Sequence, residues 1–198
     1  MKIVKRLKNR RLAIVLAIGL LCSTNVFGQS DDFLINDRRA GIFMAGEQIP
    51  FAKAQELSFV MNIKYEVKST PDGDFHEPQF LFFIDDEKML KIIPGYDSKT
   101  NSFNQTIGEI IIYSEKFKTK SGIGVGSNIE DFAKSYPDYE LWYTYISDMY
   151  GMDTEKERAQ FLLNETDYTK EVTFDSDRTV LNKKDFKENT KIETIRLY

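Results

Sequence analysis

Apolar residues recur in two rhythms along this chain, and the alternation between them predicts its elements. Ile129, Phe132, Ala133 and Tyr136 repeat at helical spacing and make one apolar face. Ser127-Asn128-Ile129-Glu130 ahead of them reads as a capping box, and Pro137 stops the helix because the residue before a proline is pushed out of helical geometry. A shorter helix is expected near 50–57, with Pro50 tolerated at its start. Strand-like runs occupy about 58–69, 79–84, 88–93 and 107–113, and then about 139–146, 158–164, 171–175 and 192–198. Asp85-Asp86-Glu87 punctuates a hairpin between Phe80-Leu81-Phe82-Phe83-Ile84 and Met89-Leu90-Lys91-Ile92-Ile93.

The same pattern repeats. With the chain shifted by 81 residues, Gly41-Ile42 falls on Gly122-Ile123, Phe51-Ala52-Lys53 on Phe132-Ala133-Lys134, and Gln79-Phe80-Leu81 on Gln160-Phe161-Leu162. A shift of 85 places the segment from Ile107 to Tyr113 on that from Ile192 to Tyr198. Residues 30–114 and 115–198 are therefore expected to be two copies of one unit, a helix followed by about four strands. Joined edge to edge, they predict an α+β fold: two tandem helix-plus-antiparallel-strand units forming one sheet with helices on one face and the other face left open.

The first 28 residues follow a different logic. Lys2, Lys5, Arg6, Lys8, Arg10 and Arg11 form a basic stretch, Leu12 to Leu21 an apolar run, and Val26-Phe27-Gly28 a small-residue cleavage site. That is the plan of a signal peptide, so a periplasmic or extracellular location is expected. The apolar run is about half of the roughly 20 residues that a spanning helix needs. Cys22, the only cysteine, is positioned after that run where a lipoprotein would be acylated, which leaves anchoring at Cys22 as the alternative.

Removing this leader changes the charge. It holds six basic residues and no acidic ones, so the remainder carries 21 basic against 31 acidic residues, a formal charge of −10. Such a surface repels nucleic acid, and membrane association is expected only if Cys22 is lipidated. Without Cys22 the mature chain has no thiol, and its stability must rest on an apolar core instead of disulfides.

Candidate chemistry is sparse. Gly122, Gly124 and Gly126 precede a helix, but their spacing is that of neither a dinucleotide fingerprint nor a P-loop, and a tight connection is expected. His76, the only histidine, belongs to a proline-rich stretch read as a loop, and it lacks the second histidine of a zinc motif. The acidic pairs Asp85-Asp86, Glu155 to Glu157 and Asp175 to Asp177 read as turns. No catalytic residue, metal or cofactor is expected. The strand from Tyr139 to Ile146 alternates Leu141, Tyr143 and Tyr145 against Trp142 and Ile146, and the next segment carries Met149, Tyr150 and Met152 in a loop. Trp142, Tyr143, Tyr145, Met149, Tyr150 and Met152 are the candidate binding residues, because interface centres favour Trp, Tyr and Met. Burial of this set on both faces of the strand is the competing reading.

The glycine-isoleucine, glycine, capping-box and helix order, present twice and followed by strands, resembles the exported β-lactamase inhibitor protein and BamE-type superfamily. The stretch Thr119-x-x-Gly122-Ile123-x-Val125-Gly126 also resembles secreted bacterial proteins of unknown function. The resemblance implies protein binding or an envelope role; with no catalytic motif, a non-catalytic protein that binds another protein of the envelope or exterior is expected, and a carbohydrate or small-ligand binding module, for which exposed Trp and Tyr are equally suited, is the alternative.

Overall fold

A computed structural model describes residues 31–70, 73–173 and 176–198. The expected signal peptide and Cys22 lie outside the described residues. Short strands β1 (Leu34–Asn36), β2 (Arg39–Ala40) and β3 (Phe43–Met44) lead into helix α1 (Phe51–Glu56). Four long strands follow: β4 (Val60–Thr70), β5 (Gly73–Ile84), β6 (Glu87–Asp97) and β7 (Ser102–Ile112). Then come β8 (Lys118–Thr119), helix α2 (Ile129–Ser135), β9 (Glu140–Thr144), β10 (Met149–Thr154), β11 (Glu157–Leu163), β12 (Arg178–Val180) and β13 (Ile192–Leu197).

These strands form two sheets, which corrects the expected α+β arrangement of one sheet covered by helices. A four-stranded sheet runs β3-β2-β1-β8, with β1 and β8 parallel, and a nine-stranded antiparallel sheet runs β12-β9-β10-β11-β13-β7-β6-β5-β4. The protein is mainly β, and length explains why the helices cannot form a layer. A seven-residue helix is about 10 Å long, whereas a strand of eleven or twelve residues extends about 37 Å. Ser58, at φ 64°, follows the last turn of α1, and Tyr136 closes α2 before Pro137. The remaining cover comes from the small sheet, whose two- and three-residue strands are too short to leave an alternation in the sequence.

Both helices and the small sheet share one core with the large sheet. The ring of Phe43 on β3 lies 4.8 Å from that of Phe82 on β5, and Phe132 on α2 lies 4.7 Å from Phe161 on β11. Phe33 and Phe117 pack edge to face at 5.3 Å, where the two halves of the small sheet meet. In the middle of the large sheet, β7 pairs with β13, so Ile112 faces Ile195 and Ile110 faces Leu197, all fully buried. The last strands of the two expected units thus adjoin.

Local chemistry sets the connections. Asp85 and Asp86 both take left-handed conformations, at φ 48° and 64°, in a two-residue turn closed by Ile84 and Glu87. This is the twist that joins antiparallel strands tightly. Gly122 and Gly126 have φ of 79° and 83°, and a Cβ on Gly124 would come within 2.2 Å of the Phe117 carbonyl oxygen. The capping expectation shifts by one residue. Asn128 caps α2, accepting from the Asp131 N–H at 2.8 Å, while Ser127 Oγ turns back to the Gly124 N–H.

Candidate functional site

The expected loop after residue 146 is instead the central strand of a three-stranded ladder. Asp148, at φ 49°, turns the chain, and β10 then pairs with β9 and β11. This pairing buries half of the candidate binding set. Trp142 and Met152 are fully buried and Tyr143 is buried, Met149 and Tyr150 are half-buried, and Tyr145 is 62% exposed beside Ile146 at 79%. Met152 belongs to the core. The Tyr143 ring packs tilted against Tyr150 at 4.7 Å, and Tyr150 lies 5.3 Å from Tyr168, so these rings pack under the segment that connects β11 to β13. The Tyr143 hydroxyl donates to Asp148 Oδ1 at 2.8 Å, and this bond, with burial, pushes its pKa up to about 12.

Trp142 faces away from that cluster. Its ring lies over Gly151, directly across the ladder, where an added Cβ would stand 2.6 Å from the indole. The Arg178 guanidinium covers the other side, 5.1 Å from the ring, and is held by Glu140 at 2.5 Å and Asp153 at 3.1 Å. The indole N–H has no hydrogen-bond partner among the described residues. The arrangement seals Trp142 in place, so that of the candidate aromatics on the expected strand Tyr145, just past the end of β9, is the one left largely exposed.

A second group gathers at the far end of the long strands. Two register shifts, between Ile93 and Pro94 and between Pro94 and Tyr96, bend β6 against β7. Such bulges re-aim the side chains that follow them. Close approach is required at the bend, because a Cβ on Gly95 would meet Thr106 Oγ1 at 2.6 Å. Beyond it, Tyr96 packs edge to face on Phe103 at 5.2 Å, and Phe103 stacks with Phe75 at 6.5 Å. The Tyr96 hydroxyl donates to Asn101 Oδ1. These rings, with His76, Glu77 and Asn101, line a cleft of about 740 Å³. His76 is therefore an exposed strand residue opposite Val67, which corrects the loop expected around it. Reasoning from sequence missed this group because Phe75, Tyr96 and Phe103 share no local spacing. The only signal available was Pro94-Gly95 inside an otherwise apolar strand.

Acid–base candidates are few. Burial raises the pKa of Glu157, whose Oε1 lies 3.1 Å from the Tyr136 hydroxyl. Asp153 lines the same depression but is tied to Arg178. That is not a free pair of facing carboxylates. Among the described residues no group of three or more His, Cys, Asp or Glu is placed to hold a metal ion. No described helix is long and apolar enough to cross a membrane.

Among solved structures the chain has a distant likeness. The crystal structure of the uncharacterised protein yfeY from Escherichia coli is similar at a TM-score of 0.49 and 12% identity, over 83% of this chain and 98% of that one. No family model matches the chain, so none connects it with the β-lactamase inhibitor and BamE-type proteins, and no curated protein matches it either.

Proposed function

We propose that this chain is an exported, non-catalytic binding protein whose contact site is the aromatic cleft at the distal end of β5, β6 and β7. The observation that carries this reading is the cluster of Phe75, Tyr96 and Phe103 around about 740 Å³ of open space, away from the core. Phe75 and Tyr96 remain 39% and 53% exposed there, a cost that packing alone does not require. The partner class is another protein of the envelope or exterior, engaged by aromatic anchors within a polar rim. Export rests on the leader pattern of residues 1–28.

Trp142, Tyr143 and Tyr150 are unsuitable for testing this, since replacing packed rings would unfold their ladder. The informative variant is Phe75→Ala with Tyr96→Ala and Phe103→Ala. Crosslinking of the tagged chain in its own cell envelope should recover a partner that the triple variant loses while keeping its circular dichroism spectrum. Equal recovery by both proteins would rule the cleft out. The stacked rings beside His76, Asn101 and Glu77 also suit a sugar, which presents an apolar face and a ring of hydroxyls. Glycan-array binding that the triple variant abolishes, without recovery of any protein, would favour that second reading.

A further inference from the structure

Strand β4 ends the nine-stranded sheet, and its outer edge has the composition of an interface. It is eleven residues long, about 36 Å, and pairs along its whole length with β5 on the other side. Val60, Ile63, Tyr65 and Val67 are 61%, 52%, 61% and 54% exposed. A long exposed edge of this kind is normally blunted by proline, a bulge or charged side chains, lysine above all, because its free N–H and C=O groups template further pairing. No proline or bulge interrupts β4 between Val60 and Thr70, and its charged residues Lys64, Glu66 and Lys68 alternate in sign, so they can pair across a two-fold axis instead of repelling.

We infer that two copies of this chain pair antiparallel through β4, on a two-fold axis at Tyr65. In that register residue i faces residue 130 − i of the second copy. Lys64 then faces Glu66, and by symmetry Glu66 faces Lys64, giving two cross-strand ion pairs on one face of the joined sheet. On the other face Ile63 meets Val67, Tyr65 meets Tyr65, and Val67 meets Ile63. Lys68 falls opposite Asn62. Moving the axis by one residue destroys this match, since centring on Lys64 or Glu66 sets like charges face to face, which destabilises a ladder.

Hydrogen bonding fits the same register. Tyr65 lies opposite Pro78, which has no N–H to give, as suits a non-hydrogen-bonded pair. In such a pair Tyr65 directs its own N–H and C=O outward, and Ile63 and Val67 do likewise two residues away. Charge supports it too. Lys64 and Lys91 press on Lys88, whose pKa burial already lowers, so a carboxylate arriving beside Lys64 meets a patch of positive charge. Glu66 is oriented by Lys68 at 3.3 Å and by Gln79, and it keeps exposed surface for a second cation. The pairing is isologous and closes at two chains.

The inference does not depend on the cleft described above, which uses different residues. Sedimentation equilibrium of the purified chain should give twice the chain mass. Lys64→Glu and Glu66→Lys alone should each weaken the dimer about tenfold or more by setting like charges opposite one another. An equimolar mixture of those two variants restores both Lys–Glu pairs, and so does the double variant Lys64→Glu/Glu66→Lys, and each should dimerise as the parent does. A parent chain that stays monomeric to about 100 µM would overturn the inference. So would a dimer insensitive to both single variants, or a mass that grows past two chains with concentration.

Discussion

Glu157 differs from the other carboxylates whose pKa is displaced, because burial moves it up while hydrogen bonds and cations hold Glu66, Glu87, Asp97 and Asp138 down. The sign of its effect on stability follows. A carboxyl with a raised folded pKa binds more protons in the native state, so its contribution falls as pH rises from its ordinary value near 4.5 through the folded one. Glu157→Gln keeps an acceptor for the Tyr136 hydroxyl and cannot ionise. The variant should match the parent in urea unfolding near pH 3, where the carboxyl is neutral in both states, and exceed it increasingly above about pH 4.5. A constant difference between the two proteins across that range would refute the assignment of the raised pKa. Nothing in the sequence marks Glu157 out from Glu155 beside it. Only the fold, by placing Tyr136 over β11, separates a half-buried acid from an exposed one.

At the scale of elements, strong local chemistry was legible and weak periodicity was not. Asp85-Asp86 announced its turn because two short acidic residues tolerate left-handed backbone, and Pro137 announced the end of α2. The segment 147–153 read as a loop because Ser147, Asp148, Gly151 and Asp153 interrupt its apolar residues. From Met149 onward it is a strand because Gly151 makes room for the Trp142 ring across the ladder, a reason that lies on another strand. Residues 171–173 are not in a strand; the edge strand forms instead at β12, where Arg178 can reach Glu140 and Asp153. For α2, seven residues make two turns at most, a length that is marginal without packing and caps. Asn128→Ala removes the acceptor for the Asp131 N–H and should cost about 1 kcal/mol in urea unfolding. Ser127→Ala should cost a comparable amount only if Ser127 were the cap; as Ser127 Oγ bonds Gly124 instead, its loss loosens the glycine connection and leaves α2 capped.

Across the whole molecule, the duplication proposed from sequence and the single core make different demands on folding. In the strand order, β4 to β7 lie on one side of the β7–β13 junction and β9, β10, β11 and β12 on the other. Yet the buried residues on both sides of that junction form one cluster, and β1 of the first half pairs with β8 of the second. Separation of the halves would expose Ile110 and Ile112 on one side and Ile195 and Leu197 on the other. Two units sharing this much buried surface should unfold together. Trp142, the only tryptophan, reports from the second half, and Phe82 is buried in the first, against Phe43 and Phe59. Phe82→Ala should cost about 3 to 5 kcal/mol through lost burial and the cavity left behind. If the core is cooperative, the fluorescence transition of Trp142 shifts to lower urea by the same amount as the far-ultraviolet circular dichroism, although Phe82 on β5 lies six strands away from Trp142 on β9, on the opposite side of the junction. A Trp142 transition that stays in place while the circular dichroism splits into two steps would mean that each half holds its own core, and that β7 and β13 meet as an interface between domains.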